Sequence, residues 1–453
     1  MRIVRAVAGV LAAVTAAGAL TACGTGPNPV TGALSQATAP VAATTDGLVP
    51  VTVGVPGGLG AAPLDTPRQA LVPQGWTMRV FARIPNARMA VWAPDGTLLV
   101  SVPDDGAVYR LSADGTRRDV LLQGLNQPHG LTFAGSTLYV AESSRVVAHD
   151  YAGGRLGAAR VVVDGLPDAR SPDLKGAYAH ALKSVAVGPD GAVYVSVGST
   201  GNITAEDLDA RPPRASILRV PPGGGPAEPY AVGVRNGTGL AVAPDGAVWT
   251  AVNGRDNVPY PYDRPYGDSA GSAYGKVIDS YVTAHPAEAL ARLTPGRNLG
   301  WPYCNPEPDV RPGEPGSPQR FSDLPLIPDA GTNQGGRRLD CAALPRIEQA
   351  FGAHSAPLGL SFTRGALPEP WADGALAGVH GSWNATPPRA PEVSFFGWSG
   401  GTLGPQRTLV GGFQDDAGDR WGRPVAAVTG PDGAVYITDD DAGAVYRLAP
   451  PGR

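Results

Sequence analysis

Four stretches of this chain are near-copies of one another: APDGTLLVSV from Ala93, GPDGAVYVSV from Gly188, APDGAVWTAV from Ala243 and GPDGAVYITD from Gly430. Each reads as the end of one strand, a tight turn and the start of a second strand. Proline presets the first turn dihedral, aspartate folds back on the local backbone, and glycine supplies a positive φ, so the unit is a β-hairpin. Two degenerate copies, AGSTLYVAES from Ala134 and ADGALAGVHG from Ala372, bring the hairpins to six. A hairpin repeated in this way confines the chain to a repeat architecture.

The turn glycines are Gly96, Gly135, Gly191, Gly246, Gly374 and Gly433, and their successive gaps, by subtraction, are 39, 56, 55, 128 and 59 residues. A four-stranded propeller blade takes roughly 40–50 residues, so the long gap holds an insertion, about residues 257–357. Further strand-like segments follow the turns: AVYRLSA after Gly106, ASILRVP after Arg214 and AVYRLAP after Gly443. MRVFARI, just beyond Trp76, opens the folded part. The expected fold is all-β, a six-bladed β-propeller over residues 75–453 whose edges are kept short by radial closure. A pair of β-sandwiches is the alternative, but it leaves the repeated hairpin unexplained. The 62 glycines and 47 prolines are far above ordinary usage, and many of them fall in turns between β-branched runs. A net charge of −4 gives no electrostatic footprint for nucleic acid.

Residues 1–22 read as a signal peptide: Arg2 and Arg5 form a basic start, and Val7 to Leu20 a short apolar core. Leu20-Thr21-Ala22-Cys23 resembles a bacterial lipobox, which implies cleavage before Cys23, a lipid on its thiol, and export to the outer side of the cell membrane. The lipid would be the protein's sole membrane attachment. Residues 23–74 are small, polar and proline-rich and read as a flexible tether. Cys304 and Cys341, in the insertion, make an even pair in an exported chain and are expected to form a disulfide, with two free thiols as the other reading.

The candidate chemistry lies just before the inner strands. His180 and Arg235 each stand ten residues before their turn aspartates, Asp190 and Asp245. Asn236 and Arg423 stand nine before theirs, and Arg88 and Lys183 seven. His129 directly precedes Gly130-Leu-Thr-Phe. Any one such residue is ordinary rim decoration, but a phased set at one mouth suggests an anionic ligand on the axis with a histidine base beside it.

HALKSVAVGPDGAVYVSVGS, VGVRNGTGLAVAPDGAVWTAVNGRD, NLGWPY, HGSWN and GRPVAAVTGPDG together resemble the pyrroloquinoline quinone (PQQ)-dependent soluble glucose and sorbosone dehydrogenases, and more closely the sorbosone-type branch. The resemblance implies a six-bladed propeller with PQQ on the axis, calcium beneath it and a small sugar as substrate; it leaves the electron acceptor unnamed. By motif, His180 is the expected general base, and Arg235 and Asn236 lie beside the reactive carbonyl. Arg255 and Asp256 would bind calcium through their backbone carbonyls. Lys183, Arg423, Arg88 and His129 are expected around the cofactor.

Two positions depart from the family pattern. Ser199 stands where the glucose-oxidising branch has an aspartate behind the base. Ala385 replaces a basic residue after HGSWN; either Arg389, a few residues later, substitutes for it or that carboxylate contact is missing. His149 and His285 read as surface residues, His354 and His380 as near the mouth but commonly structural, the tryptophans mostly as core, and Asp439 to Asp441 as a solvated turn. Two other function classes stay open: a calcium-dependent lactonase-type propeller, whose metal wants acidic and amide side chains, and a noncatalytic binding propeller.

Overall fold

The computed structural model describes residues 47–453. The signal peptide and Cys23 lie outside the described residues, as do residues 23–46 of the expected tether. At each Pro-Asp-Gly turn the glycine N–H donates back three residues, as from Gly96 to Ala93 O (3.0 Å) and from Gly191 to Gly188 O (2.9 Å). The aspartate accepts from the amide two residues on, as Asp190 does from Ala192 N at 3.0 Å and Asp245 from Ala247 N at 3.0 Å. All four glycines have φ between 71° and 85°, a region costly for any residue with a Cβ.

These hairpins build six antiparallel sheets. Their inner strands are Ala90–Trp92, Leu131–Ala134, Val185–Val187, Gly239–Val242, Pro357–Phe362 and Pro424–Thr429, each packed against the next around a closed ring. The fold is the expected six-bladed β-propeller. Closure comes from the chain's early strand Thr77–Arg83, which pairs with Ala444–Ala449 as the outermost strand of the last blade.

Second strands are buried on both faces, as Val193–Val197 shows along its whole length. Val193, Val195 and Val197 pack with Ala141 and Val146 of the preceding blade, whereas Tyr194 packs with Leu240 and Val248 of the following one. Burying each valine contributes roughly 1.5–3 kcal/mol, so alternate residues join each blade to both neighbours. Where inner strands meet most closely the sequence has no side chain: a Cβ on Gly130 would lie 2.7 Å from Ser184 Cα in the next blade.

Two expectations are corrected here. Residues 48–73 are not tether: Leu48–Thr52 pairs with Gln69–Pro73, and Leu71 bridges to Gly411. Val53, Leu64, Ala70 and Val72 are buried in a cluster with Trp371, Phe395 and Trp421. The insertion is also not one loop. It contains the third and fourth strands of its blade, Glu288–Leu293 and Ile347–Phe351, so two irregular segments flank Glu288–Leu293. The first carries the helix Asp279–Val282 and a buried cluster of Tyr260, Tyr266 and Tyr281. The second carries a hairpin of Cys304–Pro306 with Leu326–Pro328.

Cys304 and Cys341 are joined by a disulfide, with Cα atoms 5.8 Å apart and a sequence separation of 37. Closing a loop of that size removes about 4 kcal/mol of unfolded-chain entropy. Reduction is therefore expected to raise amide hydrogen exchange across residues 299–346 while the blade strands stay protected. Alkylation of both cysteines without reductant, read by intact mass, would contradict the bridge.

Candidate active site

The chemistry converges at the mouth formed by the starts of the inner strands. An axial cavity of about 570 Å³ opens at the opposite end, lined by Val91, Phe133, Val187 and Leu360 together with Asp245 and Arg364.

His180 sits at the mouth because Gly198 lets it. A Cβ on Gly198 would lie 2.5 Å from His180 Cβ and 3.2 Å from Asn236 Oδ1, so the glycine brings the histidine and asparagine against one backbone stretch. His180 Nδ1 lies 2.9 Å from Ser199 O and 3.0 Å from Ser199 Oγ. That hydroxyl donates to Gly201 O at 2.6 Å, so it can only accept from the imidazole. Both contacts therefore place the proton on Nδ1 and leave Nε2 with its lone pair. Burial, followed by the charge of Arg235, lowers the His180 pKa to about 4. The missing aspartate behind the base is thus partly replaced by a backbone carbonyl.

Arg235 is buried, and burial lowers its pKa against the pull of Asp256. Its Nη2 donates to Asp256 Oδ2 (3.0 Å) and Asn202 Oδ1 (3.1 Å), and its Nε to Asn202 O (3.3 Å). Asn202 and Asp256 clasp each other, Nδ2 to O and N to Oδ1, both at 2.9 Å. Trp301 Nε1 donates to Asn202 O at 2.9 Å, and Asn384 Nδ2 to Asp256 Oδ1 at 3.4 Å. NGRD, NLGWPY and HGSWN, far apart in sequence, thus meet at one carboxylate–amide pair. The sequence reading missed Asn202, although it lies three residues beyond the stretch that begins at His180.

Behind this group lies Glu288, also missed. It is buried, accepts from Gly254 N (2.9 Å) and Ala356 N (2.6 Å), and burial raises its pKa to about 7. It pins the NGRD loop to the entry of the next blade. Arg255 turns its side chain away to pair with buried Asp329. Among the described residues, the carbonyl oxygens of Gly254 and Arg255 accept no hydrogen bond, whereas that of Asp256 is taken by Asn202. Two free carbonyls beside a carboxylate suit a hard cation, so the fitting pair is Gly254 and Arg255 rather than Arg255 and Asp256.

Across the mouth, Asp440 joins Arg88 Nη1 at 2.5 Å and His380 Nε2 at 2.7 Å. Burial opposes its charge, but His380 and Arg88 outweigh that and bring its pKa to about 2. Asp439 is fully buried and Asp440 half-buried, so of the acidic turn expected to be solvated only Asp441 is exposed. Arg423 Nε donates to His380 O at 2.9 Å, and burial and neighbouring Arg420 lower its pKa. His129 is fully buried, Nδ1 facing Lys183 O at 3.2 Å, and its Nε2 has no partner. Burial and the Arg88 charge lower its pKa to about 3.

Two expected cofactor residues do not reach the mouth. Lys183 is fully buried, donates to Ala181 O at 2.5 Å and lies 4.6 Å from the Tyr178 ring centre. Burial lowers its pKa to about 7. It shares Arg88's spacing from the turn, but its side chain runs beneath His180. Arg389 is drawn to 3.5 Å from Glu392 in the outer ladder, and it is Arg420 that donates to the HGSWN segment, at Ser382 O. Nor are the two remaining histidines on the surface. His149 is buried and donates to Gly157 O at 3.1 Å, and His285 is buried in the insertion. His354 donates to Val282 O at 2.6 Å. Trp383, in HGSWN, is 76% exposed, an exception to the expected packing role.

The TrAA12-like family model matches residues 70–450. The fold is similar to that of the holo pyranose dehydrogenase PQQ domain of Coprinopsis cinerea, at 21% identity and a TM-score of 0.68 over 87% of this chain and 99% of that one. It is similar also to the calcium structure of the Trichoderma reesei AA12 carbohydrate-active enzyme, at 19% identity and a TM-score of 0.66 over 84% and 96%. An uncharacterized protein of Borreliella burgdorferi is 32% identical over 99 residues, 21% of this chain and 26% of its own length, so the chain spans about a quarter of that relative. The family resemblance carried by the mouth motifs holds, and the chain belongs to the TrAA12-like family.

Proposed function

We propose that this protein is a PQQ- and calcium-dependent oxidoreductase that oxidises a sugar hydroxyl, with His180 as general base. The observation that carries the reading is an imidazole whose Nδ1 proton is held by Ser199 and whose Nε2 is free, beside buried Arg235 and the half-buried Asn202 and Asp256 that it binds. Family membership supports it, as do the solved relatives that carry PQQ and calcium.

The residues present fit the two groups. Arg423, Arg88 and Asn236 would face the polyanionic quinone from the mouth, with His129 beneath them. The carbonyls of Gly254 and Arg255 would hold calcium. When bound, PQQ supplies a two-electron acceptor and calcium polarises it. His180 Nε2 takes the hydroxyl proton of the sugar. Arg235, fixed by four oxygen partners, presents positive charge where negative charge develops and needs no rearrangement to do so.

A lactonase-type reading would use the amides and carboxylates here around a central cation. Arg235 stands against it, because its guanidinium already takes Asn202 Oδ1 and Asp256 Oδ2. Export with a lipid on Cys23 is part of the proposal. It is supported by the lipobox-like sequence and by the disulfide, a bond that persists in oxidising compartments.

The test adds PQQ and calcium to the apo-protein and follows dye reduction with a panel of aldoses. Binding should require calcium and be lost on chelation; equal PQQ binding without calcium would remove the metal role, and no binding would end the reading. Because His180 must be neutral to accept a proton and its folded pKa is about 4, the acid limb of kcat/KM should lie near pH 4. A limb near the ordinary histidine value of about 6.5 would assign the titration to another group.

A further inference from the structure

The insertion contains a cluster that the sugar-oxidation site does not use. His285, Glu307 and Asp309 are all buried, and one ligand-type atom from each lies within 4.8 Å of the other two. His285 Nε2 stands 3.3 Å from Asp309 Oδ2 and 3.5 Å from Glu307 Oε1. Despite those distances, its direction meets neither oxygen in a hydrogen bond, and it is a buried nitrogen without a partner. It aims between the two carboxylates.

The surrounding contacts orient all three groups. His285 Nδ1 donates to Tyr281 O at 2.9 Å, which fixes the tautomer with Nε2 as the free atom. The imidazole is also stacked on the Tyr281 ring, centroids 3.9 Å apart and planes 9° apart. Glu307 Oε2 accepts from Tyr262 at 2.5 Å, and Oε1 accepts from Asp309 N at 2.8 Å. Gln319 Nε2 lies 3.5 Å from Asp309 Oδ1. An imidazole that donates its second nitrogen to a carbonyl, with hydrogen-bonded carboxylates opposite, is how proteins hold metal ligands in place.

We propose that His285 Nε2, Glu307 Oε1 and Asp309 Oδ2 form a second metal site, for a divalent transition ion of the zinc class. Bonds of about 2.0–2.1 Å at tetrahedral angles put ligand atoms roughly 3.3 Å apart, and the two histidine–carboxylate separations are 3.3 and 3.5 Å. Calcium is a poor match, since it takes six to eight oxygens at longer distances. The ion would tie the segment after the helix Asp279–Val282 to residues 307–309. It would sit close behind the mouth: Pro286 Cγ is 3.6 Å from where a Cβ on Gly254 would stand.

The competing occupant is a proton. Burial opposes protonation of His285, but Asp309 and Glu307 outweigh it and raise the pKa to about 9. The experiment separates the two and needs no quinone, so it stands apart from the proposed sugar oxidation. The exported chain, disulfide intact, is stripped with a chelator, loaded with zinc in excess calcium, dialysed and analysed for metal. The wild type should retain one zinc per chain, and His285→Gln and Glu307→Gln should each weaken retention at least tenfold. Cobalt loaded into the wild type should give the strong visible absorption of a four-coordinate ion, a result that holds even if a variant fails to fold. Folded wild-type protein that retains no zinc and gives only the weak spectrum of aqueous cobalt would show a protonated histidine and overturn the proposal. Zinc retained equally by a folded His285→Gln would overturn it as well.

Discussion

Replacing His180 with alanine is expected to lower sugar-oxidation turnover by about a hundredfold to ten-thousandfold, the usual worth of a general base, while PQQ affinity stays nearly unchanged. The imidazole is placed by Gly198 and oriented through Nδ1, so its loss removes a proton acceptor without disturbing the Arg235–Asp256 pair. Ser199→Ala should cost far less, because the Ser199 carbonyl would still accept from Nδ1 at 2.9 Å. Steady-state dye reduction with one aldose, alongside a PQQ titration, measures both effects. Full activity in His180→Ala would move the base elsewhere. His129 is the next candidate in line, but full burial makes it a poor proton acceptor for a substrate.

The legible parts of this chain were those whose cause is local. A Pro-Asp-Gly turn needs no distant partner, so its copies exposed the blades and their order. Glu288–Leu293 and Ile347–Phe351 were hidden because an irregular segment separates two strands that pair only in space. EALARL also carries no strand-like alternation. Residues 48–73 read as tether because their apolar positions are broken up by prolines and glycines; the partner of Leu71, Gly411, lies more than three hundred residues on.

At the site, spacing from the turn located backbone positions but not side-chain directions. Arg88 and Lys183 share a phase, yet one meets Asp440 at the mouth and the other lies over Tyr178 beneath it. Counting cations also made the mouth look simply basic. Its carboxylates enter from strand ends and loops with no common spacing: Asp256 from NGRD, Glu288 from the insertion and Asp440 after the last hairpin. The mouth is therefore a set of fixed ion pairs with a few free donors, and the free donors are what a ligand would meet.

Arg235→Ala should differ from His180→Ala in kind, lowering turnover and also weakening PQQ binding. A hydrogen bond to a charged group is worth roughly 1.5–3 kcal/mol, which corresponds to about a tenfold to hundred-and-fiftyfold loss of affinity. Some loss of thermal stability should accompany it, because Asp256 loses its cationic partner. That loss is expected to be moderate: the Asp256 side chain is 29% exposed and keeps its clasp with Asn202. Arg235→Lys should restore little, since an ammonium cannot span Asn202, Asp256 and the carbonyl of Asn253 as the planar fork does. Calorimetric titration of PQQ in calcium buffer, with melting curves of each variant, separates cofactor binding from folding. If Arg235→Ala binds PQQ as tightly as the wild type and is merely less stable, the arginine is a structural partner of Asp256. The charge that assists oxidation would then have to come from Arg423, the cation on the far side of the mouth that has no carboxylate in hydrogen-bonding contact among the described residues.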